Sequence, residues 1–121
     1  VTLDGPALRA AVAPEALRAV IGLLLDNVRQ HAGAGARAWV SWREADGGVE
    51  IAVRDDGRGV SPGNAARVFD RFFTTARDAG GTGLGLAIAR GRVEAAGGRI
   101  ALREVERGAC FVMWVRGVAS P

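Results

Sequence analysis

At 121 residues, with 49% hydrophobic and 24% charged side chains, the chain has the make-up of one globular domain and not of a disordered tail. No apolar run approaches the roughly 20 residues that span a bilayer, the start VTLDGPALRAAVAPE lacks a signal peptide's layout, and the lone Cys110 excludes an internal disulfide or a multi-cysteine metal site. Net charge is only +3 and all 16 basic residues are arginine, so the pI near 10.8 follows from missing lysine and tyrosine and not from a strong field.

In chain order, Ala7–Val12 is expected as a first strand. Pro14 suits the first position of a helix, and Leu17, Val20, Ile21, Leu24, Leu25 and Val28 recur at helical spacing until Gly33 and Gly35 end the run. Near its end, in LLLDNVRQH, Asn27 and His31 share one side of the helix with Leu23. Arg37–Arg43 and Val49–Arg54 are β-rich and joined through Asp46-Gly47-Gly48, which reads as a hairpin. Ser61 as cap and Pro62 in the first turn open a short helix through Val68. Leu84–Ala96 forms another helix, closed by Gly97 and Gly98. Arg99–Arg103 and Ala109–Val115 make a second strand pair turned at Glu106-Arg107-Gly108, and residues 116–121 are expected to fray. Strands in adjacent pairs, separated by helices, favour an α+β fold: a two-layer sandwich of a mixed, mostly antiparallel sheet with about three helices on one face. The whole chain, 1–121, reads as a single domain.

Missing lysine removes two chemistries. A Walker phosphate loop and a eukaryotic-type protein kinase both require one. The arginines are scattered from Arg9 to Arg116, so no nucleic-acid partner is expected. Two glycine clusters remain. GTGLG at 81–85 lacks the dinucleotide spacing and follows the polar segment TTARDAG instead of a strand. It runs directly into a helix, whose unpaired N–H groups and dipole favour an anion, and bare backbone lets a phosphate chain approach. VRDDGRGV at 53–60 ends a strand with Asp55, placing a carboxylate beside Gly57 and Gly59 at the wall of a cleft. Alone, that segment is equally an acidic turn.

Taken together, these segments resemble the ATP-binding catalytic domain of bacterial sensor histidine kinases, in the GHKL superfamily with gyrase, Hsp90 chaperones and MutL. Asn27 in LLLDNVRQH matches the N box, DDGRG at 55–59 the G1 box, VFDRFF at 68–73 the F box and GTGLGLAI at 81–88 the G2 box. The closing EAAGGRIALREVERGACFVMWV is similar to that domain's last strands. The resemblance spans about residues 7–116 and implies the Bergerat fold, with ATP and Mg²⁺ as cofactors. It implies that Asn27 ligates Mg²⁺ through its amide oxygen, and that Asp55 accepts a hydrogen bond from the adenine amino group. Gly57 and Gly59, with Val60, would leave room for the base, and His31 would pack beside the nucleotide. Gly81, Thr82, Gly83, Leu84, Gly85 and Leu86 would wrap the phosphates. Residues 73–82 would form a lid, and Arg71, with Arg77, would offer a cation to the γ-phosphate. Phe69 and Phe72 are expected as core packing.

Several positions depart from the family. Leu23 stands where these kinases carry a second asparagine and the hydrolysing relatives a water-activating glutamate, which argues against a gyrase-like ATPase. Asp26 is no substitute, since consecutive helix positions point about 100° apart. Gln30 replaces a frequent lysine, Thr74 a frequent arginine, and Cys110 a common threonine near the base. The only histidine, His31, lies in the expected nucleotide pocket, so the phosphoacceptor belongs elsewhere. The expected partners are therefore a histidine-bearing dimerisation domain of the parent kinase and a response regulator receiver domain. This domain itself is expected to be cytoplasmic and to make no direct membrane contact, the parent's anchoring being open. The start without methionine agrees with excision from a longer chain. A regulatory nucleotide-binding module without transfer, or an anti-sigma-type serine kinase, are the alternative functions.

Overall fold

A computed structural model describes residues 2–5, 10, 14–33, 35–71 and 83–117. Their order is β1 (Thr2–Asp4), α1 (Pro14–His31), β2 (Ala38–Ala45), β3 (Gly48–Asp55), α2 (Pro62–Ala65), α3 (Gly85–Ala95), β4 (Arg99–Arg103) and β5 (Cys110–Arg116). The strands form one sheet in the order β1-β2-β3-β5-β4, antiparallel except for the parallel β1–β2 pair. This is the mixed α+β architecture that the alternation of strand pairs and helices implied.

Strand parity decides where the core sits. Val49, Ile51 and Val53 on β3 and Phe111, Met113 and Val115 on β5 are buried in alternation, as one sheet face requires. Against them lie Val20, Leu24 and Val28 of α1 and Ala89 and Val93 of α3. Each large apolar side chain so enclosed contributes about 1.5–3 kcal/mol. Phe69 meets Phe111 edge-on at 6.0 Å, the core packing expected of it, and Arg90 lies over the Phe69 ring at 5.7 Å. Phe72 lies outside the described residues.

Several boundaries differ from the sequence expectation for local reasons. The first hairpin turns on two residues only, Asp46 and Gly47, with φ of 51° and 73°, while Gly48 already pairs with Ala45. Two successive positive φ values make the turn that matches strand twist. Ser61 does not cap α2 with its side chain; its backbone carbonyl accepts from Asn64 N–H at 2.9 Å and Ala65 N–H at 3.0 Å. α2 ends at Ala65 and continues as turns, with Arg67 N–H bonding the Asn64 carbonyl and Asp70 N–H the Arg67 carbonyl, each at 2.9 Å. α3 closes as expected: Gly97 takes φ 80° and donates to Glu94, and Gly98 donates to Val93 at 2.9 Å.

At the chain ends, β1 was not anticipated, being three residues whose partner lies far along the sequence. Of the strand expected at Ala7–Val12 only Ala10 is described, bridged to Gly117. The fraying expected from residue 116 is corrected at two positions: Arg116 completes β5, and Gly117 N–H bonds the Gly47 carbonyl at 3.2 Å. Residues 118–121 lie outside the described set. Among the described residues, no helix is long and apolar enough to cross a membrane.

Candidate functional site

A cavity of about 630 Å³ opens between the last turns of α1, the end of β3 and the start of α3. That volume suits a small-molecule ligand. Of the residues singled out from the sequence, Asn27, His31, Asp55, Gly59, Val60, Gly83, Leu84, Gly85 and Leu86 line it together. Gly57 and Arg71 do not. Gly81, Thr82, Thr74, Arg77 and the lid at 73–82 lie outside the described residues.

Asp55 is the best-fixed of these groups. It is 3% exposed at the last position of β3, and its Oδ1 accepts from Gly57 N–H at 2.9 Å and Ala109 N–H at 3.3 Å. Those two bonds hold the carboxylate plane. Among the described residues Oδ2 accepts no bond, and no buried side-chain oxygen there lacks a partner, which leaves Oδ2 open to the cavity that Asp55 lines. An acceptor-only oxygen so held selects a ligand that offers N–H.

The glycines around Asp55 serve the protein more than the ligand. A Cβ on Gly57 would stand 2.2 Å from the Ala32 carbonyl oxygen, so this glycine lets the end of α1 touch the loop after β3. Packing against Ala32 is thus a reason for glycine at position 57 that stands beside the expected room for the base. Gly108, known from the sequence only as a turn residue, takes φ 79° and lets the β4–β5 connection lie against the Asp55 backbone. Gly85 is different: a Cβ there would meet nothing within 4 Å, so protein packing does not require glycine at this cavity-lining position.

On α1, positions 23, 26, 27, 30 and 31 all border the cavity. Asp26, about 100° around the helix from Asn27, borders it as well. The lining stripe spans i, i+3, i+4, i+7 and i+8, wide enough to bring Asp26 to its rim, where it also sits 3.9 Å from Arg29. Leu23 is confirmed in the wall, contributing no water-activating group. Cys110, expected near the base, faces the opposite side of the sheet: it pairs with Arg54, whereas its neighbours Ala109 and Phe111 line the cavity. Arg58, Ser61 and Asn64 line it too, with no periodic or motif signal that could have marked Ser61 or Asn64.

His31 is half-buried at the wall, and burial first, then the positive charge of Arg58, lowers its pKa below the ordinary imidazole value of 6.5. The imidazole is therefore neutral at pH 7. Because the unfolded chain takes up this proton first, stability falls as pH drops through 6.5 and levels off below the folded value. We expect urea midpoints of wild type and His31→Gln to diverge over that interval, wild type losing more; parallel curves would contradict the burial of a neutral ring.

Comparison with known proteins places this geometry. The family profile described as "Histidine kinase-, DNA gyrase B-, and HSP90-like ATPase" matches residues 12–118. The alginate biosynthesis sensor protein KinB of Pseudomonas aeruginosa is 37% identical over 95 residues, 78% of this chain and 16% of that protein. The sensor histidine kinase ZraS of Escherichia coli O157:H7 is 37% identical over 103 residues, 84% of this chain and 22% of that protein. The chain thus spans about a fifth of the length of these relatives. Among solved structures, the mycobacterial sensor histidine kinase MprB superposes with a TM-score of 0.81 at 26% identity, over 97% of this chain and 84% of that one. The catalytic domain of histidine kinase ThkA gives 0.83 at 24% identity, over 96% and 77%, a likeness of fold.

Proposed function

We propose that this chain, which belongs to the histidine kinase-, DNA gyrase B- and HSP90-like ATPase family, holds ATP with Mg²⁺ in the cavity and presents the γ-phosphate to a histidine on a separate helical dimerisation domain. The observation that carries the reading is convergence: Asn27, Asp55 and the 83–86 backbone, far apart in sequence, border one cavity. Asp55 Oδ2 accepts from the adenine amino group, and guanine, which offers a carbonyl there, is refused. The neutral His31 packs beside the base. Gly59 and Val60 form the wall near it, and Gly81, Thr82, Gly83, Leu84, Gly85 and Leu86 follow the phosphates. Among the described residues no side-chain cap bond covers the start of α3, which leaves the N–H groups of Gly85, Leu86 and Ala87 to meet phosphate oxygens.

The residues present fit a magnesium ion carried by the nucleotide. Asn27 offers a neutral amide oxygen and Asp26 a carboxylate at the rim, and among the described residues no group of three His, Cys, Asp or Glu could hold a metal alone. So sparse a donor set suits an ion whose other ligands are phosphate oxygens and water. When bound, the ion neutralises charge that develops on the phosphates. Arg71 stays in the proposal as a cation recruited from outside the cavity wall.

Transfer then needs no covalent group on this domain. The acceptor imidazole nitrogen bonds phosphorus as the bond to the ADP oxygen breaks, and catalysis rests on position and charge. A receiver-domain aspartate of a response regulator is the next acceptor. Leu23 in the wall supports transfer over hydrolysis, since leucine cannot activate water. Incubation with γ-labelled ATP, Mg²⁺ and the histidine-bearing helical domain of a sensor-kinase relative is expected to place acid-labile label on that domain. Nucleotide binding without transfer would favour a regulatory module, and acid-stable label a serine kinase.

Gly85 supplies a second check. Gly85→Ala should leave the thermal midpoint unchanged or raised, alanine being the better helix former, yet weaken ATP binding about tenfold or more, about 1.4 kcal/mol. Unchanged affinity, measured by titration calorimetry, would contradict phosphate passage at this point.

A further inference from the structure

The sheet face turned away from α1 and α3 carries groups that nucleotide binding does not use. Register sets its side chains in rows across β2, β3, β5 and β4. The middle row is small: Ser41, Ala52, Val112 and Ala101. One flanking row carries Arg54 and Arg103 beside Trp39, the other Arg43 and Arg99 beside Trp114. With rows about 7 Å apart along a strand and strands about 4.8 Å apart, this is a shallow trough about 14 Å wide.

Its charge is not balanced. Glu50 accepts from Arg43 at 3.2 and 3.3 Å and from Arg103 at 3.2 Å, so one carboxylate serves two guanidinium groups. Arg99 meets Asp46 at 3.4 Å, and Arg54 pairs with no carboxylate among the described residues. Arg43, Arg99 and Arg103 side chains are 68%, 64% and 51% exposed, leaving N–H edges for further acceptors. Arg54 lies over Trp39 at 5.6 Å and Arg99 over Trp114 at 4.7 Å. Each indole thus has a face covered by the protein's own cation, which disfavours base stacking, and Glu50 would repel a continuous polyanion.

We propose that this trough docks an acidic, small-apolar segment of a protein partner. Its apolar side chains lie over Ala52 and Val112, and its carboxylates bridge Arg54 and Arg103 on one side and Arg99 on the other. Asp4, in register with Ser41, closes the β1 end with negative charge and confines the carboxylates to the β3–β5–β4 half.

Random dodecapeptides displayed on phage and selected on the immobilised domain test this. Enriched sequences should alternate Asp or Glu with Ala or Val, and should shift the backbone amide resonances of Ala52, Ala101 and Val112. By fluorescence anisotropy, affinity should fall at least tenfold in Arg54→Glu/Arg103→Glu, and also in Ala101→Gln, which fills the trough without changing charge. Thermal midpoints within a few degrees of wild type identify variants that remain folded. Failure to enrich any peptide, enrichment without acidic bias, or affinity unchanged in both variants overturns the proposal. Tighter binding of a twelve-residue oligothymidylate than of every selected peptide overturns it in favour of a nucleic-acid surface.

Discussion

Asp55→Asn is expected to lower ATP affinity about 30- to 1,000-fold while the chain stays folded, a loss of about 2–4 kcal/mol. Only a carboxylate can accept on both sides at once. Its Oδ1 is committed to the N–H groups of Gly57 and Ala109, and Oδ2 is open to the cavity. Asparagine can turn its oxygen inward, setting its NH₂ against the adenine amino group, or outward, setting NH₂ against two backbone donors. Either orientation leaves donors facing each other. Calorimetric titration with ATP and with GTP checks this: the variant should lose ATP preference, and retained wild-type affinity would remove Asp55 from base recognition.

The second large effect concerns stability. Gly57→Val is expected to destabilise the fold by about 3 kcal/mol or more, because its Cβ would enter the Ala32 main chain at 2.2–2.5 Å, where no flexible side chain can yield. The same contact carries the Arg58 N–H bond to the Ala32 carbonyl at 3.2 Å, so forcing it apart separates the end of α1 from the loop after β3. Asn27 and His31 would then leave Asp55. Urea unfolding should show a lowered midpoint even without nucleotide, whereas a ligand-contact role alone would leave it unchanged. The contrast with Gly85→Ala, stable but weak in binding, separates a glycine required by packing from one required by the ligand.

What was legible in the sequence follows the range of the interactions. α1 announces itself because its apolar positions repeat at helical spacing along 18 residues, and α3 because Gly97 and Gly98 end it by local bonds. β1 is invisible because three residues show no alternation and the parallel partner is set by tertiary contact. Motif spacing brought Asn27, Asp55 and Gly83–Leu86 together correctly. It could not show that Gly57 is also bare because Ala32 packs where its Cβ would stand. Cys110 shows the parity hazard: an offset of one residue moves a side chain from the cavity to the opposite side of the sheet, where Cys110 is buried, and Ala109 just before β5 is the residue that lines the cavity. Arg58 reaches the cavity from the loop after β3 and Asn64 from the single-turn α2, neither marked by any periodicity.

The most direct test of the nucleotide site is a titration of the isotope-labelled domain with magnesium and a non-hydrolysable ATP analogue, followed by amide resonances. The account predicts saturable shifts at the Asn27 side-chain amide, at His31 and Asp55, and at Gly83, Leu84, Gly85 and Leu86, with the open sheet face around Ala52 and Val112 silent. Shifts confined to that open face, or none at the three cavity walls at saturating analogue, would contradict it.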